Sequence, residues 1–220
     1  MTNQKLKNRI KALFSTASPN RIIPFITAGF PSLELTVPLV LSVSEAGADM
    51  IEIGMPFSDP LADGPIIQQS SQIAIKNGVT MEWIFQQVDL IRKQDCHIPI
   101  VLMGYINPIM KYGWQRFIQD CSQYGVDGLI IPDLPPEEAG EIISLMRECQ
   151  IIPIMLVAPN TPGDRINYLS ELSGDLLYCV SVLGVTGKNS AGQTDLIKYL
   201  DRVKHYSTTP YVVGFGITTG

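Results

Sequence analysis

The chain has 220 residues, 45% of them hydrophobic, with a formal net charge of −5. That is enough apolar material for one large core, so a single domain is expected, and the acidic balance leaves no broad basic footprint for nucleic acid. No run approaches the roughly 18 consecutive apolar residues of a membrane span, and the N-terminus lacks an apolar run followed by a cleavage site, so a soluble, cytoplasmic protein with no membrane partner is expected.

The four cysteines, Cys96, Cys121, Cys149 and Cys179, show no C-x-x-C spacing, and His97 beside Cys96 has no further ligand near it in sequence. The pattern argues against a zinc site and against a disulfide framework, and free thiols fit a reducing compartment.

Leu6, Ile10, Leu13 and Phe14 recur at helical spacing and predict an amphipathic helix over residues 4–14, covering the bottom of the fold. Lys5, Lys7, Arg9 and Lys11 read as its solvated face. Residues 22–27 form an apolar run ending at Ala28-Gly29, followed by a helical pattern through Leu35, Leu39, Val43 and Ala46. Ser32 is a candidate cap, although Pro38 also allows a start near Thr36 with the proline in the first turn.

Gly47-Ala48-Asp49 then leads into the strand Met50 to Ile53, and the punctuation recurs at Gly125-Val126-Asp127 before residues 128–131 and at Gly174-Asp175 before residues 176–180. A glycine ending each helix and an aspartate opening each strand is αβ turn chemistry. Further strands are expected at 98–103, 151–157 and 211–214, with helices near 81–93, 113–124, 137–149, 164–172 and 194–206. Seven apolar strands alternating with helices, without a hairpin signal, predict an α/β protein with a parallel sheet covered by helices. No G-x-G-x-x-G follows the first strand, and chemistry-bearing residues follow several different strands. Both facts favour a (β/α)8 TIM barrel over an open doubly wound sheet. With seven strands counted, the expectation is one barrel domain over residues 1–220, C-terminally truncated and lacking the eighth strand and the final helices.

The strongest chemical signal is Ile51-Glu52-Ile53-Gly54-Met55-Pro56-Phe57-Ser58-Asp59-Pro60-Leu61-Ala62-Asp63-Gly64-Pro65. Ile51 and Ile53 alternate away from Glu52, which places its carboxyl inside the barrel near the C-terminal rim. A carboxyl among apolar residues is costly unless it is paired or kept for chemistry. Asp59 and Asp63 follow in a loop stiffened by three prolines. Two carboxyls in unlike environments suit proton transfer beside a fixed negative charge. No lysine lies in the strands or at their C-terminal ends, which argues against a Schiff-base aldolase, and no His/Asp/Glu cluster suggests a metal-dependent one. Leu183-Gly184-Val185-Thr186-Gly187-Lys188 and Gly214-Phe215-Gly216 offer backbone N–H groups to an anion, as phosphate sites of such barrels do. Asn189 to Gly192 could extend the first loop into a lid. Tyr105 and Tyr178, with Phe25 and Phe215, could line an aromatic-sized cavity or simply fill core. Cys179 alternates away from Tyr178 as inert packing, and His97 and His205 read as solvated.

These motifs resemble the tryptophan synthase α subunit family along essentially the whole chain: the stretch from Ile51 through Pro65 to Gln68, Pro24 to Gly29, Tyr105 with Asn107 and Pro108, Pro132 to Pro135, Gly184 to Gly187, and Gly214 to Ile217. The resemblance implies retro-aldol cleavage of indole-3-glycerol phosphate to indole and glyceraldehyde 3-phosphate. By position it makes Glu52 the acid/base group, Asp63 the partner of the indole N–H and Tyr178 an aid to positioning. Phe25, Tyr105 and Phe215 flank the indole, and Gly187 and Gly216 match phosphate-binding backbone; the family's remaining phosphate donors follow an eighth strand. It further implies an α2β2 heterotetramer, with Asp59, Asp133 and Pro135 at or near the contact. No cofactor belongs to this chain, and pyridoxal phosphate belongs to the β subunit. The alternatives are a non-catalytic docking subunit and a free-standing, indole-releasing lyase.

Overall fold

The computed structural model describes residues 8–16, 20–94, 96–181 and 193–214. In chain order these form α1 (Arg9–Phe14), β1 (Phe25–Thr27), α2 (Thr36–Glu45), β2 (Ile51–Gly54), α3 (Pro65–Lys76), α4 (Met81–Lys93), β3 (Ile100–Met103), α5 (Ile106–Tyr112), α6 (Trp114–Tyr124), β4 (Gly128–Ile130), α7 (Gly140–Glu148), β5 (Ile152–Pro153), β6 (Met155–Val157), α8 (Gly163–Ser173), β7 (Leu177–Val180), α9 (Gln193–Tyr206) and β8 (Tyr211–Gly214).

Every ladder is parallel, in the orders β1-β2-β3-β4-β5 and β6-β7-β8. β5 and β6 are two halves of the one strand expected over 151–157. Pro153 has no N–H to continue a ladder, and the first half pairs with β4 while the second pairs with β7. The Ile154 N–H still donates to the Leu129 carbonyl at 3.0 Å, bridging the break. Among the described residues seven strand positions therefore stand in sequence order, as the apolar runs predicted.

Side chains divide by the period of two. Met50, Val101, Met103, Ile130, Ile152, Ile154, Leu176 and Tyr178 form one buried cluster, the barrel interior, and Ile10 of α1 plugs its lower end. Their neighbours Ile51, Ile53, Ile100, Leu102 and Leu129 face outward beneath Val40, Phe85, Val88 and Phe117 of the covering helices. Around β7 the outward layer is Leu177 and Cys179 against Ile166, Leu169, Tyr199 and Val203 of α8 and α9. Phe85 and Phe117 are 1% and 0% exposed with ring centroids 5.4 Å apart, so truncating either to alanine should destabilise by about 3–5 kcal/mol.

Four local expectations change. Arg9 and Lys11 are not merely solvated: Arg9 pairs with Asp127 and Lys11 with Asp175, each at 3.1 Å; Lys5 and Lys7 lie outside the described residues. The Ser32 hydroxyl makes no capping bond. α2 instead starts at Thr36, with Pro38 in its first turn, and the Thr36 hydroxyl accepts the Gly29 N–H at 2.9 Å. α3 was not expected, because its buried face is Ser70, Ser71 and Ala74 and so carries no apolar period. α5 was missed for a similar reason: it is short, and only Ile109 is buried.

Two of the recurring turn aspartates do the same work. Asp49 donates its N–H to the Ile22 carbonyl at 2.9 Å and accepts the Ile22 N–H on its carboxylate at 2.8 Å. Asp127 exchanges the same pair of bonds with Ile100, at 2.8 and 2.9 Å. Asp127 also binds Arg92 at 2.9 Å, and burial pulls that guanidinium down to about 10.

Candidate active site

Glu52 occupies the inward position of β2 between Met50 and Gly54, in register with Phe25 on β1 and Val101 on β3. It is 4% exposed. Burial pushes its carboxyl up to about 8, and among the described residues no cation or hydrogen-bond donor pulls it back. Such a group is mostly protonated at neutral pH and able to give that proton away. The phenol of Tyr178 on β7 is raised by burial and then by the charge of Glu52, which puts the two within electrostatic reach.

Above Glu52 the strand ends at Gly54. A Cβ there would run into the Phe25 ring, so glycine makes the room that the ring fills. Phe25, Thr27, Gly54, Met55, Asp63, Ile67, Ser71, Met103, Gly104, Tyr105 and Pro132 line a small cavity at this end. Glu52 and Tyr178 are not among its walls; Glu52 lies two residues before Gly54, one layer deeper.

The loop after β2 is tied down at both ends. The Met55 N–H donates to the Met103 carbonyl at 2.8 Å, and the Gln68 amide donates to the Asp63 carbonyl at 2.8 Å. Asp63 is half-buried and immediately precedes Gly64, the N-cap of α3. Burial raises its carboxyl, while the neighbouring Tyr105 hydroxyl pulls it down.

The sequence-derived candidates thus fall into three groups. Glu52, Asp63, Tyr178, Phe25 and Tyr105 gather at or just below one mouth. Asp59 and Pro135 are exposed on loops after β2 and β4. Asp133, on the β4 loop, accepts the Ile106 N–H at 2.9 Å. Gly187, Phe215 and Gly216 lie outside the described residues. The cavity also uses Ser71, Met103 and Gly104, which no motif flagged, and Thr27 and Pro132, which lie in quoted motifs but had no role assigned. Thr27 and Met103 end their strands, and the barrel rule that chemistry sits at strand C-termini was a signal for them. Ser71 needed α3. Among the described residues no group of three metal-ligating side chains occurs, and no helix is long and apolar enough to cross a membrane.

A parallel α/β barrel with a proton-holding carboxyl beneath an aromatic-walled mouth and a second carboxylate on the rim defines a barrel enzyme working by acid/base chemistry. Residues 12–220 match the family described as the tryptophan synthase alpha chain. The chain is 47% identical to the tryptophan synthase alpha chain of Petrotoga mobilis, over 89% of this chain and 76% of that one. The solved tryptophan synthase subunit alpha of Legionella pneumophila superposes with a TM-score of 0.87 at 36% identity, covering 96% of this chain and 79% of that one. A structure of the tryptophan synthase α2β2 complex from Pyrococcus furiosus gives 0.81 at 38% identity, covering 90% and 79%. The chain belongs to the tryptophan synthase alpha chain family.

Proposed function

We propose that this mouth cleaves indole-3-glycerol phosphate to indole and glyceraldehyde 3-phosphate, with Glu52 moving the protons. Glu52 starts in its neutral form and donates to C3 of the indole. The ring then carries a positive charge shared with its nitrogen, and the Asp63 carboxylate accepts the ring N–H and stabilises that charge. The Glu52 carboxylate next takes the proton of the carbinol hydroxyl next to C3. The carbinol C–O becomes a carbonyl, and the pair from the breaking C–C bond restores the neutral indole. Glu52 ends protonated as it began, so protons and electrons balance without a redox partner or a cofactor in this chain.

Tyr178 helps position the reacting groups, and Phe25, Tyr105 and Phe215 hold the indole plane. The Gly187 and Gly216 backbones are assigned to the phosphate from their sequence motifs. The reading is carried by one observation: Glu52 is buried at an inward, C-terminal strand position with its carboxyl lifted to about 8. The β subunit docks at the mouth in an α2β2 assembly, with Asp59, Asp133 and Pro135 at or near the contact. The exposed apolar side chains Leu61, Ile66 and Met110 around the same end support that placement. Pyridoxal phosphate is assigned to that partner. Cytoplasmic residence is supported by the four free cysteines.

Indole release tests the assignment. Glu52→Gln should lower it by about 10²–10⁴-fold, the usual worth of a positioned acid/base group; a rate equal to wild type removes Glu52 from the chemistry.

A further inference from the structure

Tyr105 enters the reading above only as a wall of the indole slot, a role that a phenylalanine would fill equally well. Its hydroxyl is used otherwise. Tyr105 follows β3 by two residues and is 5% exposed, with its backbone held where the next residue, Ile106, donates to Asp133. From this fixed place it touches the loop after β2 at two points. Its ring lies 5.3 Å from that of Phe57, tilted by 35°. Its oxygen accepts the Ala62 N–H at 3.0 Å. That places it one residue from Asp63, which lines the same pocket and whose carboxyl the hydroxyl draws down.

We propose that Tyr105 is a positioning residue whose hydroxyl aims the Asp63 carboxylate, and the loop that carries it, at the ring nitrogen of the substrate. The proposal rests on the assignment of Asp63 to the indole N–H. The oxygen holds the main chain immediately before Asp63, so the loop that carries the carboxylate is fixed relative to a barrel strand. A carboxylate on a proline-rich loop would otherwise have to be ordered by the substrate.

The test is Tyr105→Phe in the full chain, read by the carboxyl titration of Asp63 in ¹³C NMR and by kcat and KM for indole release. The expected result is an upward move of the Asp63 titration, a kcat loss of about ten- to a hundredfold and a nearly unchanged KM. In an Asp63→Asn background the same substitution should cost little further, because the two groups act as a pair. An unmoved titration, an unchanged kcat with a raised KM, or losses that multiply independently would overturn the proposal. Phe57→Leu keeps the hydroxyl but removes the ring contact; if it lowers kcat while Tyr105→Phe does not, loop packing and not the hydroxyl is responsible. Should the Phe variant not fold, 3-fluorotyrosine at position 105 donates more strongly in the same shape and should move the Asp63 titration down, and no movement counts against the proposal. A wild-type chain that releases no indole would sink the functional reading, while the titration would still decide whether Tyr105 governs Asp63.

Discussion

The two ends of the barrel each bury a carboxyl, and they treat it in opposite ways. At the bottom, Asp127 is 2% exposed and receives Arg9, Arg92 and the Ile100 N–H. At the mouth, Glu52 is 4% exposed, and its carboxyl is lifted to about 8 by burial, with no cation against it among the described residues. Equal burial therefore does not mean equal purpose. A carboxylate whose lone pairs are occupied by two guanidiniums and a main-chain donor is a joint between elements. One left to carry its own proton is a reagent.

Four substitutions or conditions sharpen that contrast. The largest effect should come from Glu52→Gln, with turnover down by about 10²–10⁴-fold while the chain still folds; a variant unable to fold would make Glu52 structural after all. Asp127→Ala should do the reverse. Two half-buried arginines and the Ile100 N–H lose their partner, and chemical denaturation should show a loss of about 3 kcal/mol, with indole release per folded molecule preserved.

Next comes the pH dependence of stability. Glu52 holds its proton in the folded state up to about pH 8, against 4.5 for an ordinary glutamate. The folded state thus binds the extra proton between those values, and its stability should fall as pH rises from about 4.5 to about 8 and then level off. Glu52→Gln removes this dependence. Its stability relative to wild type should rise across the window by a few kcal/mol, and its Tm advantage by roughly 10 °C or more for a domain of this size. A Tm difference that stays flat from pH 5 to 8 would place the Glu52 titration elsewhere. The smallest effect should be Lys11→Ala, which breaks the pair with the half-exposed Asp175 and should change stability by no more than about 0.5 kcal/mol.

The outline of the fold was legible because apolar runs and αβ turns are local. Glu52 was legible for the same reason: a lone carboxyl between two isoleucines on a strand has one inward direction. The partners of Asp127 were not. Arg9 is 118 positions away, and an aspartate that takes two arginines looks in sequence like one that merely opens a strand. α3 hid because a helix that buries serines shows no apolar stripe, and Ser71, one of the cavity walls, hid with it. Tyr105 was readable as an aromatic near the substrate, whereas its hold on the loop that carries Asp63 depends on how a segment some 40 residues earlier folds back, as the Ala62 contact measures with a separation of 43.

The break at Ile154 has a dynamic meaning. β1 to β5 form one continuous ladder and β6 to β8 another, joined along the strand by one peptide stretch and the Ile154 N–H bond and inside by the shared interior cluster. Each ladder has its own helix-facing core on the outside. The molecule should therefore open in two cooperative units, and amide hydrogen exchange under native conditions should show protection changing level across Ile154, with β6 to β8, the smaller ladder, exchanging first. Because Tyr178 rides on that smaller ladder and Glu52 on the larger, this seam also separates the two members of the proposed catalytic pair.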